Sequence, residues 1–332
     1  MGSPPHPTAG RAAAACVAGP DAAAPHVAAA RMAAARLAAG FALISLLCAG
    51  CGELPAAVSV HGVRVVAAEN VWGSIARQIG GAAASVTDII ASPAQDPHSY
   101  EPTASDARLM ATAQLAIVNG VSYDAWASRL LASDPADGRS VLTAGALLGL
   151  HSGDNPHRWY APADVRAMAR AIAARLTRID PRHAAYFAAR LRSFEARGLA
   201  GYDETIAKIR HRFAGVPIGA SESTFALLAP ALGLRLLTPP SFLRAVSEGG
   251  DLTAHDTAVA ESQITHRAIR VWVVNTQNLT PEIQRLSALA RAARIPIATI
   301  TETLSPATAG FQGWQTAQLD RLRAALALGT GR

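Results

Sequence analysis

Short apolar runs alternate with helix-length amphipathic segments along most of the chain. In the first half, apolar runs are followed by helical patterns or polar loops, at 62–68, 85–90 and 116–118. The alternation resumes in the second half, with apolar runs at 216–220, 235–237, 271–274 and 297–300. Strands that alternate with helices in this way are typical of parallel βαβ units. The pattern therefore predicts an α/β protein with two doubly wound lobes.

A long helical stretch separates the two alternating regions. It runs from about 162 to 213 and is broken at Asp180-Pro181, because proline disfavours helix in the residue before it. The second piece would be roughly 45 Å long as one α-helix, more than a small domain needs. We therefore predict a long rigid helix at 181–213 that joins an N-terminal lobe at 62–180 to a C-terminal lobe at 214–330.

The first residues are typical of a secretory signal. Arg31 and Arg36 precede an apolar run at 37–50, which is shorter than the roughly 18 residues that suggest a membrane-spanning helix. Ala49-Gly50-Cys51 resembles a bacterial lipobox, with Cys48 where leucine is usual. Residues 1–51 are thus predicted to be an extension and lipoprotein signal, with Cys51 lipidated. A plain signal peptide is the alternative, and the true start is either Met1 or Met32.

The composition argues against disorder, nucleic-acid binding and cysteine-based chemistry. Half of the residues are hydrophobic and 16% are charged, which argues against long disordered regions. The net charge of +6 does not favour nucleic acid, because the basic residues are scattered arginines without a basic run. No cysteine follows Cys51, so the mature domain cannot use disulfides, cysteine-ligated metal or thiol catalysis.

Two histidines stand directly after prolines in polar connectors. His98 lies in DPHSYEPT, between a strand and a helix, and His157 lies in DNPHRWY. Ligands of doubly wound folds gather at the carboxyl ends of strands, and a stiff Pro-His connector holds its side chain ready for a ligand. One loop histidine is more often simply exposed, but the stiff connectors make both histidines candidate metal ligands.

These motifs resemble those of the zinc and manganese receptors of ABC importers, the cluster A-I lipoproteins with a helical backbone. The resemblance covers about 60–330 and includes the segments GGAAASV and VNGVSYDAW. It implies four metal ligands, His98 and His157 from the first lobe and Glu222 and Glu302 from the second. Glu302 stands where aspartate is usual in the family. Taken alone, Glu222 would be a helix first-turn acid and Glu302 an ordinary loop acid.

The resemblance implies an extracytoplasmic solute-binding protein rather than an enzyme. It would be a monomer anchored to the membrane, would capture one divalent metal, and would deliver it to a permease and its ATPase. Oxygen ligands suit Mn²⁺, whereas the Irving–Williams order favours Zn²⁺, so both metals remain open with a slight preference for zinc. A secreted zinc-dependent hydrolase is an alternative, although the chain has no H-E-x-x-H motif. An adhesin-type surface lipoprotein is a third possibility.

Overall fold

The first lobe is built on a four-stranded parallel sheet. The computed structural model describes residues 62–332, so the predicted signal and Cys51 lie outside the described residues. The sheet has the strand order β2-β1-β3-β4. Its strands are β1 (Val63–Glu69), β2 (Ala84–Ile90), β3 (Leu115–Val118) and β4 (Ser140–Thr143).

The second lobe repeats this arrangement. Its parallel sheet has the order β6-β5-β7-β8, with β5 (Pro217–Ala220), β6 (Arg235–Leu236), β7 (Trp272–Asn275) and β8 (Ile297–Ile300). In each sheet the first strand pairs with both the second and the third, so the chain order reverses beside it. Ligands of open α/β sheets bind outside the carboxyl ends of the strands at such a point.

Helices cover the sheets and connect the lobes. In the first lobe they are α1 (Asn70–Gly80), α2 (Ala104–Thr112), α3 (Ala125–Ser133) and α4 (Ala144–Leu147). The connection contains α5 (Pro162–Ile179), α6 (Ala184–Ser193) and α7 (Ala200–Phe213). The second lobe has α8 (Pro240–Ser247), α9 (Ala254–Thr265), α10 (Pro281–Ala292) and α11 (Phe311–Thr330). None of the helices in residues 62–332 has the length and apolar character of a membrane span.

The linking segment is helical over the predicted range, but the expectation of one uninterrupted α-helix needs correction. A π-helical turn, Phe194–Gly198, lies between α6 and α7, and Leu199 N–H donates to the Phe194 carbonyl five residues back at 2.9 Å. At Gly198, a Cβ atom would lie 2.8 Å from Nε2 of Gln312. Gly198 thus packs against the end of the flexible Gln312 side chain of α11.

The sequence pattern also predicts a helix at 222–233, but the observed helical segment is shorter. Only a 3-10 turn, Ser223–Leu227, forms there, and Glu222 itself is extended with φ of −160°. Pro230 has no amide hydrogen, so it cannot donate to the carbonyl of residue 226 as an α-helix requires. The segment ends at Gly233, where φ is +66°.

One hydrophobic core runs through both lobes, and a second, smaller cluster lies within the first lobe. The larger core includes Trp72 and Trp159 of the first lobe and Phe311 and Trp314 of α11. A hydrogen bond reinforces this packing, since the backbone N–H of Phe311 donates to Ser74 Oγ at 3.0 Å. The two lobes are thus held together by shared apolar packing as well as by the linking helices.

Thr103 caps the helix that follows the His98 loop. Its Oγ1 accepts from Asp106 N–H at 3.3 Å, and Asp106 Oδ2 accepts from Thr103 N–H at 2.7 Å. Thr103→Ala should therefore lower the free energy of unfolding by about 1 kcal/mol, measured by urea denaturation. Thr112→Ala, at the exposed other end of α2, should change it less. If both variants lost the same free energy of unfolding, the capping hydrogen bonds of Thr103 would make no specific contribution to stability.

Candidate metal centre

The loop between β2 and α2 presents His98 at the cleft. Asp96 Oδ1 accepts from His98 N–H at 2.9 Å, and Asp96 Oδ2 accepts from Ser99 Oγ at 2.9 Å. Trp126 Nε1 donates to the Pro97 carbonyl at 3.2 Å. The backbone on both sides of His98 is therefore fixed, while the residue itself is exposed. The expectation of a stiff connector agrees with these contacts.

His157 is fully buried and has one free ring nitrogen. Its Nδ1 lies 2.9 Å from Asn155 Oδ1, and because an amide oxygen only accepts, the proton is on Nδ1. Nε2 then carries the lone pair, and it has no hydrogen-bond partner. Burial lowers the pKa of His157 to about 4, so the imidazole is neutral at pH 7. A neutral imidazole with its tautomer fixed is a ready metal ligand.

Tyr123 forms the aromatic wall between the two histidines. Its ring meets His98 edge to face at 4.6 Å between centroids and His157 at 5.6 Å. Its hydroxyl donates to Glu302 Oε2 at 3.1 Å. Burial raises the pKa of Tyr123 well above 10, so the phenol keeps the proton that it donates. The wall excludes water from one side of the site and orients a carboxylate.

Glu302 follows β8 and reaches the same point from the second lobe. It is 6% exposed, and its Oε2 lies 3.4 Å from His157 Nε2. Gln277 Oε1 accepts from the backbone N–H of Glu302 at 2.6 Å and from that of Thr303 at 3.0 Å. These bonds fix the backbone from which the carboxylate projects.

Glu222 follows β5 and is 1% exposed. Its Oε1 accepts from Thr224 Oγ1 at 2.5 Å and from Asn275 Nδ2. Its Oε2 accepts from Asn278 Nδ2 at 3.0 Å. Three neutral donors therefore hold this carboxylate beside Glu302.

The two carboxylates share a buried site without a basic side chain. Burial, and then the charge of Glu302, raise the pKa of Glu222 to about 8, and burial likewise raises the pKa of Glu302. Among the described residues, no lysine or arginine lies within 4.0 Å of either carboxylate. Buried carboxylates are costly unless they are paired or bind a cation, so this donor set fits a metal ion.

Three of the four expected ligands converge. The ligand atoms of His98, His157 and Glu302 all lie within 4.8 Å of one another. Glu222 lies outside this group of three. Asn275 connects it to Glu302 by donating to both carboxylates. The sequence did not indicate Asn275, and its only signal is its position at the end of the apolar run VWVVN.

Two cavities flank the His98 loop. One of about 350 Å³ and another of about 670 Å³ are both lined by His98 and Glu248. The larger also reaches Asn155 and Ser223. Solvent therefore reaches His98 from both cavities and Glu302 from the smaller one, whereas His157 and Glu222 line neither cavity.

The raised carboxylate pKa values predict a pH dependence for the metal-free protein. A carboxyl whose pKa is raised in the folded protein contributes fully to stability at a pH below its ordinary pKa of 4.5. For Glu222 this contribution is lost as the pH rises through about 8. Burial lowers the pKa of both His98 and His157 below 6.5, so both stay neutral above that pH. The free energy of unfolding should therefore fall between pH 6.5 and 8.5.

Urea denaturation at these two pH values measures the effect. Glu222→Gln should be less sensitive to pH than the wild type, because glutamine cannot lose a proton. A wild type whose stability is the same at pH 6.5 and 8.5 would contradict the prediction.

Known proteins match the chain in sequence and in fold. The family model described as "ZnuA: Zinc-uptake complex component A periplasmic" matches residues 65–325. The manganese-binding lipoprotein MntA of Halalkalibacterium halodurans is 29% identical over 157 residues, which are 46% of this chain and 52% of that protein. The iron-binding protein YfeA of Yersinia pestis is 28% identical over 187 residues, covering 52% and 57%. The chain thus spans about half the length of these curated relatives.

Solved structures share the two-lobed architecture. A manganese-bound periplasmic metal-binding protein from Candidatus Liberibacter asiaticus has a TM-score of 0.67 and 18% identity, covering 80% of this chain and 99% of that chain. The FpvC solute-binding protein of Pseudomonas aeruginosa, in complex with Mn²⁺, has a TM-score of 0.66 and 20% identity, covering 80% and 98%. These likenesses confirm the predicted α/β fold of two lobes joined by long helices.

Proposed function

Because the chain belongs to the family of zinc-uptake complex component A, we propose that it is the extracytoplasmic solute receptor of an ABC importer. It captures one divalent transition metal between its lobes. The observation that carries this proposal is the buried, unpaired Nε2 of His157, which lies 3.4 Å from Glu302 Oε2. A buried nitrogen lone pair and a buried carboxylate without a basic partner leave a place for a cation.

The proposed ligands are those implied by the resemblance. His98, His157 and Glu302 supply the converging atoms, and Glu222 supplies the fourth from its neighbouring position. Two neutral imidazoles and two carboxylates balance the charge of a divalent cation, which lowers the cost of burying it. We favour zinc slightly, because it outranks manganese on most nitrogen and oxygen sites.

The same ligand set favours a receptor over a hydrolase. A catalytic zinc keeps a water molecule in an open position, whereas four protein ligands would fill a tetrahedral site. The metal is then cargo and the chain performs no chemistry on it. A substrate panel for hydrolysis, run with the metal-loaded protein, should give no turnover.

The proposed partners are a membrane permease and its ATPase, which receive the metal from a monomeric receptor. Cys51, outside the described residues, would carry the lipid that keeps the receptor at the membrane. Fatty-acid labelling should mark the wild type but not Cys51→Ala, and equal labelling of both would exclude this anchor.

Metal titration of the purified chain tests the proposal. Calorimetry and native mass spectrometry should give one Zn²⁺ or Mn²⁺ per chain. The result that would overturn the proposal is the absence of binding for both metals by the correctly folded, metal-stripped protein.

A further inference from the structure

The side chain of Asn275 lies between the two carboxylates. It ends β7, is fully buried, and its Nδ2 donates to Glu302 Oε1 at 2.6 Å and also to Glu222 Oε1. A primary amide nitrogen has two hydrogens, so one donor group serves both carboxylates.

The orientation of this amide is fixed. Asn275 Oδ1 accepts from the backbone N–H of Gln277 at 3.0 Å, which identifies the other amide atom as the nitrogen. The backbone N–H of Asn275 donates to Ser221 Oγ at 3.0 Å, at the end of the neighbouring strand β5. The nitrogen therefore faces the carboxylates because of the strand register, and the amide cannot turn without losing these contacts.

Asn275 occupies the same oxygen of each carboxylate. Both Oε1 atoms accept from its Nδ2, and Glu222 Oε1 also accepts from Thr224. The Oε2 atoms each accept one hydrogen bond, from Tyr123 at Glu302 and from Asn278 at Glu222, and Glu302 Oε2 is the oxygen that lies 3.4 Å from His157 Nε2. The amide hydrogens therefore compete with a cation for both Oε1 atoms, most strongly at Glu222, where Asn275 and Thr224 together engage both lone pairs of the oxygen.

We propose that Asn275 is a specificity-determining residue that makes both carboxylates bind metal through one oxygen each and so favours Zn²⁺ over Mn²⁺. The inference rests on the proposed function, because it concerns the same metal site. Two imidazoles and two single oxygens form a four-coordinate set, which suits Zn²⁺. Mn²⁺ favours more oxygen ligands in octahedral geometry, and carboxylates that bind through both oxygens would supply them.

A neutral amide suits this position better than a basic side chain. Arginine or lysine would also hold two carboxylates, but its charge would compete with the incoming cation. The amide orients the oxygens without adding a positive charge beside the metal. Asn275 is thus a positioning residue, acting on the metal through Glu222 and Glu302.

Removal of the amide tests the inference. Asn275→Leu keeps the branched shape of the side chain but is larger and has no donor, so Asn275→Ala serves if the leucine variant does not fold. In either variant the ratio of Zn²⁺ to Mn²⁺ affinity, measured by calorimetry, should fall at least about tenfold. Co²⁺ bound to the wild type should give the intense visible absorption of a four-coordinate site, and the variants should lose more than half of it.

Ser287→Ala is the matched control. Ser287 is buried in the same lobe and accepts from Trp272 Nε1 at 3.2 Å, so its loss removes a buried hydrogen bond away from the carboxylates. It should change neither the affinity ratio nor the Co²⁺ spectrum, whatever its effect on stability.

The outcomes separate the inference from the proposed function. Failure of the wild type to bind any of the three metals would overturn the proposed function. Metal binding by the wild type, with an unchanged Co²⁺ spectrum and affinity ratio in the Asn275 variants, would overturn the role of Asn275 alone.

Discussion

Replacing His157 with phenylalanine should abolish tight metal binding and leave the metal-free protein folded. The imidazole Nε2 is buried, unpaired and 3.4 Å from Glu302 Oε2, and a phenyl ring offers no lone pair. Affinity should fall at least about a hundredfold, equivalent to about 2.8 kcal/mol. Calorimetric titration with Zn²⁺ and Mn²⁺ measures this loss.

The metal-free variant should remain close to the wild type in stability. Phenylalanine keeps an aromatic ring beside Trp159 and Tyr123, and although it is somewhat larger and loses the contact with Asn155 Oδ1, we expect a cost of no more than about 1.5 kcal/mol. The substitution also removes a buried nitrogen without a partner, whose burial is unfavourable. Thermal denaturation of the stripped proteins compares them, while the stabilisation produced by added metal should disappear in the variant.

His183→Phe is the control for this substitution. His183 lies at the start of the linking segment, half-buried against the rings of Tyr186 and Phe187. Its replacement should leave metal affinity unchanged. Wild-type affinity in His157→Phe would exclude His157 from the site and with it the geometric basis of the proposed function.

The sequence was most informative where local chemistry determines the structure. The prolines before His98 and His157 place both histidines in short connectors, and the neighbouring residues Asp96 and Asn155 fix their backbones. Because these contacts are within two residues, the local sequence is enough to indicate a prepared histidine. The alternation of apolar runs likewise indicated two parallel sheets.

The carboxylate side of the site depends on contacts that are distant in sequence. Glu222, Asn275 and Glu302 meet because β5, β7 and β8 are neighbours in one sheet and end at the same edge. No local pattern reveals that register, so the resemblance alone indicated the two glutamates and nothing indicated Asn275. The π-helical turn at 194–198 was also missed, because Gly198 in the sequence does not distinguish a π-helical turn from an α-helix.

Neutralising either carboxylate should weaken metal binding by at least about tenfold, or ~1.4 kcal/mol. Glu302→Gln and Glu222→Gln keep the side-chain volume and remove one negative charge from a buried site, where the attraction for a cation is strongest. Glutamine at 302 can still accept from Asn275, so the Glu302→Gln variant should keep its fold. Its metal-free stability at pH 8.5 should equal or exceed that of the wild type, because the repulsion between the carboxylates is gone.

Glu248→Gln distinguishes ligation from a general effect of charge. Glu248 lines both cavities beside His98 but is exposed, so water and salt screen its charge from the site. Its replacement should change affinity by less than about twofold. Calorimetric titration of the three variants with Zn²⁺ and Mn²⁺ makes the comparison. If Glu302→Gln and Glu222→Gln bind both metals as tightly as Glu248→Gln does, neither carboxylate is a ligand, and the proposed ligand set is wrong beyond the two histidines.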